Sequence, residues 1–265
     1  MRLWGPLAVA VTAVVAAAPA ALAQSGAALF SDEEALTISQ AVIGQPVSDY
    51  AFDDASGGAL NLAELRGKPV VVSMIYTSCY HICPMLTQRL ADVADVAWEA
   101  LGQDSFDVVT IGFDTAFDTP ARMRAYAEQR GLLQPNWHFL SGTPETIDAL
   151  SKDLGFIFFS SPKGFDHLAQ TTVLNAKGEV YRQVYGQDFT TPQLVEPLKE
   201  LVFNTPQDAS LVDGWLDTVR LFCTIYDPTT GRYKFDYSLF VGIFVGVLCL
   251  GAVATFLVKS WRDAI

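Results

Sequence analysis

Residues 70–76, Val-Val-Val-Ser-Met-Ile-Tyr, form a continuous apolar run that gives way within three residues to Cys79-Tyr80-His81-Ile82-Cys83-Pro84. A run that is apolar throughout, rather than at alternate positions, suits a strand buried on both faces, as in the middle of a helix-covered sheet. After Pro84 the period changes, and Leu86, Leu90, Val93, Ala97 and Leu101 recur at helical spacing. Pro84 stands in the first turn of that helix, where its missing N–H is harmless. The two thiols therefore flank a strand-to-helix turn. Their spacing brings both sulfurs to one side of it, and the helix N-terminus favours thiolate, lowering each thiol from its free value near ~8.5. Thiolates so placed suit a soft metal or a disulfide.

The flanking sequence repeats the strand-then-helix pattern. Residues 52–65, with Gly57-Gly58 in their middle, read as a short hairpin ending in a turn at Arg66-Gly67-Lys68-Pro69. Downstream, 106–113 is a strand, and Thr119-Pro120 opens a helix to about residue 130. Residues 137–140 are a strand, and Thr143-Pro144 opens a helix to about 154. Residues 156–160 read as a further strand, 171–175 and 179–185 as an antiparallel hairpin around Ala176-Lys177-Gly178, and 191–203 as a last helix. The expectation is an α/β domain with a largely parallel central sheet and helices on both faces. Strand, thiol pair, helix, alternating units and final hairpin are the layout of a thioredoxin-like fold.

The ends of the chain say where this domain works. Residues 1–23 carry an early Arg2, an apolar stretch and the small-residue site Ala21-Leu22-Ala23, the pattern of a cleaved secretory signal peptide. Residues 237–258 carry no charge and are long enough to span a bilayer core of about 30 Å as a helix. Lys259 and Arg262 follow that stretch and Asp236 precedes it, which places the C-terminus in the cytoplasm. The expected organisation is a signal peptide (1–23), an N-terminal segment (24–42), the thioredoxin-like domain (43–203), a juxtamembrane connector (204–235), a transmembrane helix (236–258) and a cytoplasmic tail (259–265). The body then lies on the exported, periplasmic face of the inner membrane. In the connector, Leu211, Trp215, Leu216, Val219 and Phe222 fall on one helical face.

With 17 basic and 29 acidic residues the formal net charge is −12, which argues against a nucleic-acid partner. Four cysteines are too few for a disulfide scaffold in an exported chain of this length. Cys249 lies in the expected span and Cys223 in the connector, which leaves Cys79 and Cys83 as a local pair.

Three motifs carry a resemblance: Thr77-Ser78-Cys79-Tyr80-His81-Ile82-Cys83-Pro84, Asp114 to Pro120 (Asp-Thr-Ala-Phe-Asp-Thr-Pro), and Asp166-His167 before the strand at Thr171. Over roughly 43–203 the chain is similar to the SCO/SenC family of copper proteins that assemble cytochrome oxidase. Ordinary thioredoxins use a two-residue spacer and a proline before the corresponding strand, and here Pro162 is too far back for that role. The resemblance implies that Cys79, Cys83 and His167 are copper ligands, with His167 brought in on a loop; Asp166 either orients that imidazole or is a solvated loop acid. Two thiolates and one imidazole suit Cu(I), and the same set can hold Cu(II).

The implied function is a membrane-anchored copper metallochaperone, which need not be an enzyme. It would take copper from a donor protein and deliver it to the copper centre of a haem-copper oxidase subunit. A thiol-disulfide reductase keeping oxidase cysteines reduced is the alternative, with Cys79 and Cys83 as its redox-active residues. A thiol peroxidase is weaker, because Arg89 is on the following helix rather than beside Cys79. The chain departs from the family pattern in the spacer residues Tyr80 and His81 and in a C-terminal rather than N-terminal anchor. His81 and Met85 read as a solvent-facing spacer and a helix-rim residue, His138 as structural.

Overall fold

The computed structural model describes residues 31–204, 224–227, 230, 232–235 and 237–263. The signal peptide expected at 1–23, Cys223 and the apolar face expected at 211–222 lie outside the described residues. A seven-stranded sheet has the order β2-β1-β5-β4-β3-β8-β9, made of β1 (Ala51–Asp54), β2 (Gly58–Asn61), β3 (Val70–Ile75), β4 (Asp107–Gly112), β5 (Trp137–Ser141), β8 (Gln170–Leu174) and β9 (Val180–Tyr185). Only β3, β4 and β5 run parallel; the outer pairings are antiparallel, so the sheet is mixed rather than largely parallel. The reason lies in the connections: hairpins supply the outer strands, and only the helical crossovers between β3, β4 and β5 return the chain in the same direction.

All six residues of β3 and all six of β4 are buried, as expected for the centre of the sheet. The helix after the thiols, α2 (Ile82–Leu101), buries Leu86, Leu90, Val93 and Ala97. Trp98 on the same helix stacks on Phe106 at 5.0 Å between centroids. Helices α3 (Pro120–Glu128) and α4 (Pro144–Asp153) start as the Thr-Pro pairs predict, with Thr119 and Thr143 accepting N–H bonds from Arg122 and Thr146. α3 ends at Glu128 rather than near 130, because Gly131 (φ 66°) turns the chain into the left-handed region. α5 (Thr191–Asn204) packs beside α2 and over β8 and β9.

Two elements were not foreseen. Within the segment left unassigned at 24–42, α1 (Asp32–Ala41) is capped by Ser31 and carries three acids in its first turn. Its Ser39 hydroxyl donates to Gln170 Oε1 on β8 at 2.7 Å. The expected strand at 156–160 is β6 (Phe158–Ser161), and it joins no part of the main sheet. It pairs with β7 (Gly164–His167) in a separate antiparallel hairpin, so that Asp166 and His167 sit on a strand and not on a loop.

Beyond the main domain, β10 (Thr224–Asp227) and β11 (Arg232–Phe235) form a hairpin fixed to α2 and α5. Arg232 pairs with Glu99 at 2.9 Å and the Tyr233 hydroxyl donates to Glu196 at 2.7 Å. α6 (Ser238–Asp263) follows, and it runs past the boundary expected at 258, carrying Lys259 and Arg262 within the helix. Val241, Ile243, Phe244, Val247 and Leu250 on α6 are exposed, as is the Cys249 thiol. Among the described residues, no helix is long and apolar enough to cross a membrane, so the transmembrane helix expected at 236–258 is not confirmed.

Gly155 separates two effects of adding a methyl group. It has φ +60°, and a Cβ there would lie 2.8 Å from the Ile38 carbonyl oxygen and the Ser39 Cα of α1. Gly57, at φ +100°, faces open space. Gly155→Ala should lower the thermal midpoint of the protein more than Gly57→Ala, by the equivalent of about 1 kcal/mol or more beyond the shared backbone strain. Equal shifts for the two variants would show that α1 does not pack as described.

Candidate metal centre

The corner at the C-terminal ends of β3 and β4 is organised by Asp118, a carboxylate only 2% exposed. Its Oδ1 accepts the Thr77 N–H at 2.8 Å and the Thr77 hydroxyl at 2.6 Å, while Oδ2 accepts the Asp114 N–H at 3.0 Å. Burial pushes the Asp118 carboxyl upward, and the bonds from Thr77 oppose it. The carboxylate thus ties the segment that leads into the thiols to the loop after β4. Gly112 lets it do so, since a Cβ there would fall on Asp118 Cβ and reach Met123 Sδ at 2.9 Å. The sequence marked 114–120 as a motif without giving it a task; the paired Asp114 and Asp118, four residues apart after a strand, were the available signal.

From Thr77 the chain turns into α2, whose N-cap is His81, with no side-chain capping bond. A sulfur takes that place: the Cys83 N–H donates to Cys79 Sγ at 3.4 Å. Donors around Cys79 lower its thiol to about 4, the Cys83 thiol foremost, then the backbone N–H groups of Cys83 and His81 and the Tyr76 hydroxyl, with burial opposing. Cys83, 1% exposed, moves the other way, because its proton is shared with Cys79 and because burial disfavours its charge. The reduced pair therefore holds one negative charge, on the half-buried Cys79, and one proton, on the buried Cys83. No disulfide joins them in this structure; both are free thiols.

Tyr76 connects the thiols to the histidine. Its hydroxyl bonds to Cys79, and its ring stands edge-on to the His167 imidazole at 6.1 Å between centroids. The β6–β7 hairpin can lie against that ring only because residue 164 is glycine: at φ +115°, a Cβ there would meet the Tyr76 oxygen at 2.8 Å. His167 is walled by Phe113 and Phe156, each at 5.4 Å. Burial in this apolar setting lowers its pKa and keeps the imidazole neutral. Nδ1 lies 3.1 Å from the Leu168 carbonyl oxygen, which can only accept, so Nδ1 carries the proton and Nε2 the free lone pair.

Of the two readings of Asp166, the solvated acid describes its exposure, although its charge acts on the His167 imidazole. Asp166 lies opposite Phe159 in the hairpin, and the Leu168 carbonyl orients the imidazole in its stead. Strand alternation explains the exposure: neighbours on β7 point to opposite faces. Arg89 is likewise committed away from Cys79, donating to the Phe189 carbonyl and to Thr191. His138 lies 3.2 Å from the Asp54 carboxylate, a structural pair. Tyr80, His81 and Met85 are exposed around the thiols. Among the described residues, no group of three or more His, Cys, Asp or Glu side chains is drawn together closely enough to hold a metal ion as it stands. Cys79 and Cys83 touch, and His167 is near enough for the charge of Cys79 to act on its imidazole.

The bracket and the thiols each make an expectation. Asp118→Ala leaves the part-buried Thr77 and Asp114 N–H groups without their acceptors and should destabilise the protein by about 1–3 kcal/mol, with Asp118→Asn, which keeps one carbonyl oxygen, costing less. Equal losses, or none, in chemical denaturation would remove the bracket from the account. In the reduced, metal-free protein, Cys79 should be alkylated at a rate nearly independent of pH between roughly 6 and 8, where a free thiol of pKa near ~8.5 slows about tenfold per unit as pH falls. The sign follows from the lowered pKa: thiolate persists as the solution becomes more acidic. An alkylation midpoint near the free-thiol value would contradict the hydrogen-bonded thiolate.

The geometry has relatives. The model of the family described as SCO1/SenC matches residues 40–202. A SCO1 protein homolog of Bacillus subtilis is 25% identical over 150 residues, which is 54% of this chain and 76% of that protein. Among solved structures, Bradyrhizobium japonicum ScoI with copper bound superposes with TM-score 0.51 at 22% identity, covering 59% of this chain and 99% of that one. BsSco, described as a member of the Sco family of cytochrome c oxidase assembly proteins with a disulfide switch, superposes with TM-score 0.53 at 21% identity, covering 60% and 98%. At such identities the two superpositions establish the thioredoxin-like fold of that family, and the family model establishes membership: this chain belongs to the SCO1/SenC family.

Proposed function

We propose that the protein is a membrane-anchored copper metallochaperone that binds copper through Cys79, Cys83 and His167 and delivers it to the copper centre of a haem-copper oxidase. The observation that carries this reading is the state of the three donors. Cys79 is an ionised thiolate in contact with Cys83, and the nearby His167 is neutral with Nε2 unprotonated. Cys79 and His167 are thus in the form that ligates a metal, while Cys83 gives up its proton on binding, and the set of two sulfurs and one imidazole is soft enough for Cu(I) while able to accept Cu(II). Copper here is cargo. The third donor rides on its own hairpin, outside the main sheet. A relative solved with copper bound and another described as a cytochrome c oxidase assembly protein support the same reading.

The anchoring follows from the two ends. The anchor this reading assigns is the uncharged stretch 237–258, which α6 covers from Ser238 onward. Its exposed apolar side chains are then covered by lipid. Residues 1–23 act as a cleaved signal peptide, the thioredoxin-like domain faces the periplasm, and Lys259 and Arg262 hold the C-terminus on the cytoplasmic side. Copper donor and oxidase subunit are met on the periplasmic face.

A second reading, thiol-disulfide reductase, is favoured by the same split between the thiols: a reactive thiolate at Cys79 backed by a protonated resolving thiol at Cys83. The two readings part at His167, because a dithiol reduces a disulfide without an imidazole.

The full-length reduced protein should bind about one copper per chain, with Cys79→Ser or Cys83→Ser abolishing tight binding and His167→Ala weakening it, more for Cu(II) than for Cu(I). Full affinity in the double cysteine variant would refute the site. A strain carrying His167→Ala should lose oxidase activity, regain part of it with added copper, and keep near-normal reductase activity toward an oxidised acceptor. Normal oxidase assembly in that strain at limiting copper, with failure in the cysteine variants, would favour the reductase. For the topology, a reporter fused after Ile265 should be active only in the cytoplasm, and a mature N-terminus at Met1 would overturn the signal-peptide assignment.

A further inference from the structure

The chain has only three histidines, four methionines and four cysteines in 265 residues, yet Cys79, His81, Cys83 and Met85 fall within seven consecutive positions. The structure sorts this cluster into two layers. Cys83 is buried and Cys79 half-buried, whereas His81 is exposed and Met85 is 43% exposed. His81 is the N-cap of α2 but makes no side-chain capping bond, and the Met85 N–H reaches the His81 carbonyl at 3.4 Å, so the two residues stand one turn apart on the solvent side. His81 stands just before the helix at φ −130°, joined to its first turn by that bond, and an imidazole nitrogen and a thioether sulfur from two such neighbouring side chains can bridge one metal ion. The layers touch, because the His81 N–H bonds to the Cys79 sulfur.

We propose that His81 and Met85 form an outer, two-donor landing site for Cu(I), from which the ion passes to Cys79 and then to the inner site; this inference rests on the copper reading above. An imidazole nitrogen and a thioether sulfur bind Cu(I) more weakly than thiolate, so the gradient runs inward. The exchange is a ligand substitution without electron transfer. Bonds to His81 and Met85 form as bonds to the donor protein break, the Met85 bond breaks as a Cu–Cys79 bond forms, the His81 bond breaks as Cys83 closes on the ion and its proton leaves to solvent, and His167 completes the inner site. Tyr80, 96% exposed, and Ile82, 41% exposed, flank the landing site with apolar surface for the donor to rest on.

Two measurements on the full-length reduced protein test this. In the Cys79→Ser/Cys83→Ser/His167→Ala background, anaerobic Cu(I) titration against a competing chelator should show one weak site, and adding His81→Asn and Met85→Leu should weaken it about tenfold or more. In the otherwise native chain, His81→Asn/Met85→Leu changes only exposed side chains and should slow loading from Cu(I)–glutathione about fivefold or more, with final affinity unchanged. No copper binding in the first background, the same binding with and without the outer pair, or an unaltered loading rate would each overturn the landing site. Failure of the inner-site reading is seen separately, as wild-type affinity in Cys79→Ser/Cys83→Ser, and takes this inference with it.

Discussion

The hydrogen bonds converging on the Asp118 carboxylate are the constraint on which the rest of the site depends. The chain leaving β3 must stop being a strand, present two sulfurs and start a helix within a few residues, and an exit of that kind exposes backbone N–H groups that a buried corner cannot leave unpaired. Asp118 accepts two donors from Thr77 and one from Asp114. That fixes the segment before Cys79 relative to the loop after β4, and with it the wall of Phe113 against which His167 packs. Removing the carboxylate would unseat the thiols and the histidine wall together.

The charge distribution follows from that geometry. Cys79 Sγ stands where a capping oxygen would stand at the start of α2, so the helix N-terminus supplies N–H groups to the sulfur and Cys83 supplies a shared proton. On the other side, phenylalanines and Tyr76 keep His167 dry and neutral. A polar, anion-stabilising half thus meets an apolar, imidazole-bearing half, with Tyr76 in contact with both. Because the imidazole is carried by a two-stranded hairpin outside the main sheet, its position is coupled to the thiols only through side-chain contacts and not through a sheet ladder.

Much of this was legible from the residues. The unbroken run at 70–76 could only be a central strand, the period change after Pro84 could only be a helix, and the Thr-Pro pairs marked helix starts, because each is a local signal with a local cause. What failed depended on tertiary context. The orientation of the outer strands is set by hairpins, not by their own composition. The phenylalanines at 156–159 read as a sheet strand, yet β6 and β7 pair only with each other, and that pairing turns Asp166 outward. Tyr76 and Asp118 were inside quoted segments but carried no signal of their roles, since a tyrosine ending a strand and an aspartate before a Thr-Pro pair are ordinary. The resemblance found the ligand candidates; only the geometry shows which protons they carry.

The central claim, that two sulfurs and one imidazole nitrogen gather around copper, is tested most directly by X-ray absorption at the copper edge of the full-length, reduced protein loaded with one equivalent of Cu(I). The account predicts a three-coordinate spectrum with two sulfur neighbours from Cys79 and Cys83 and one imidazole whose multiple-scattering pattern disappears in His167→Ala. A spectrum lacking sulfur neighbours, or an imidazole pattern unaltered in that variant, would contradict it.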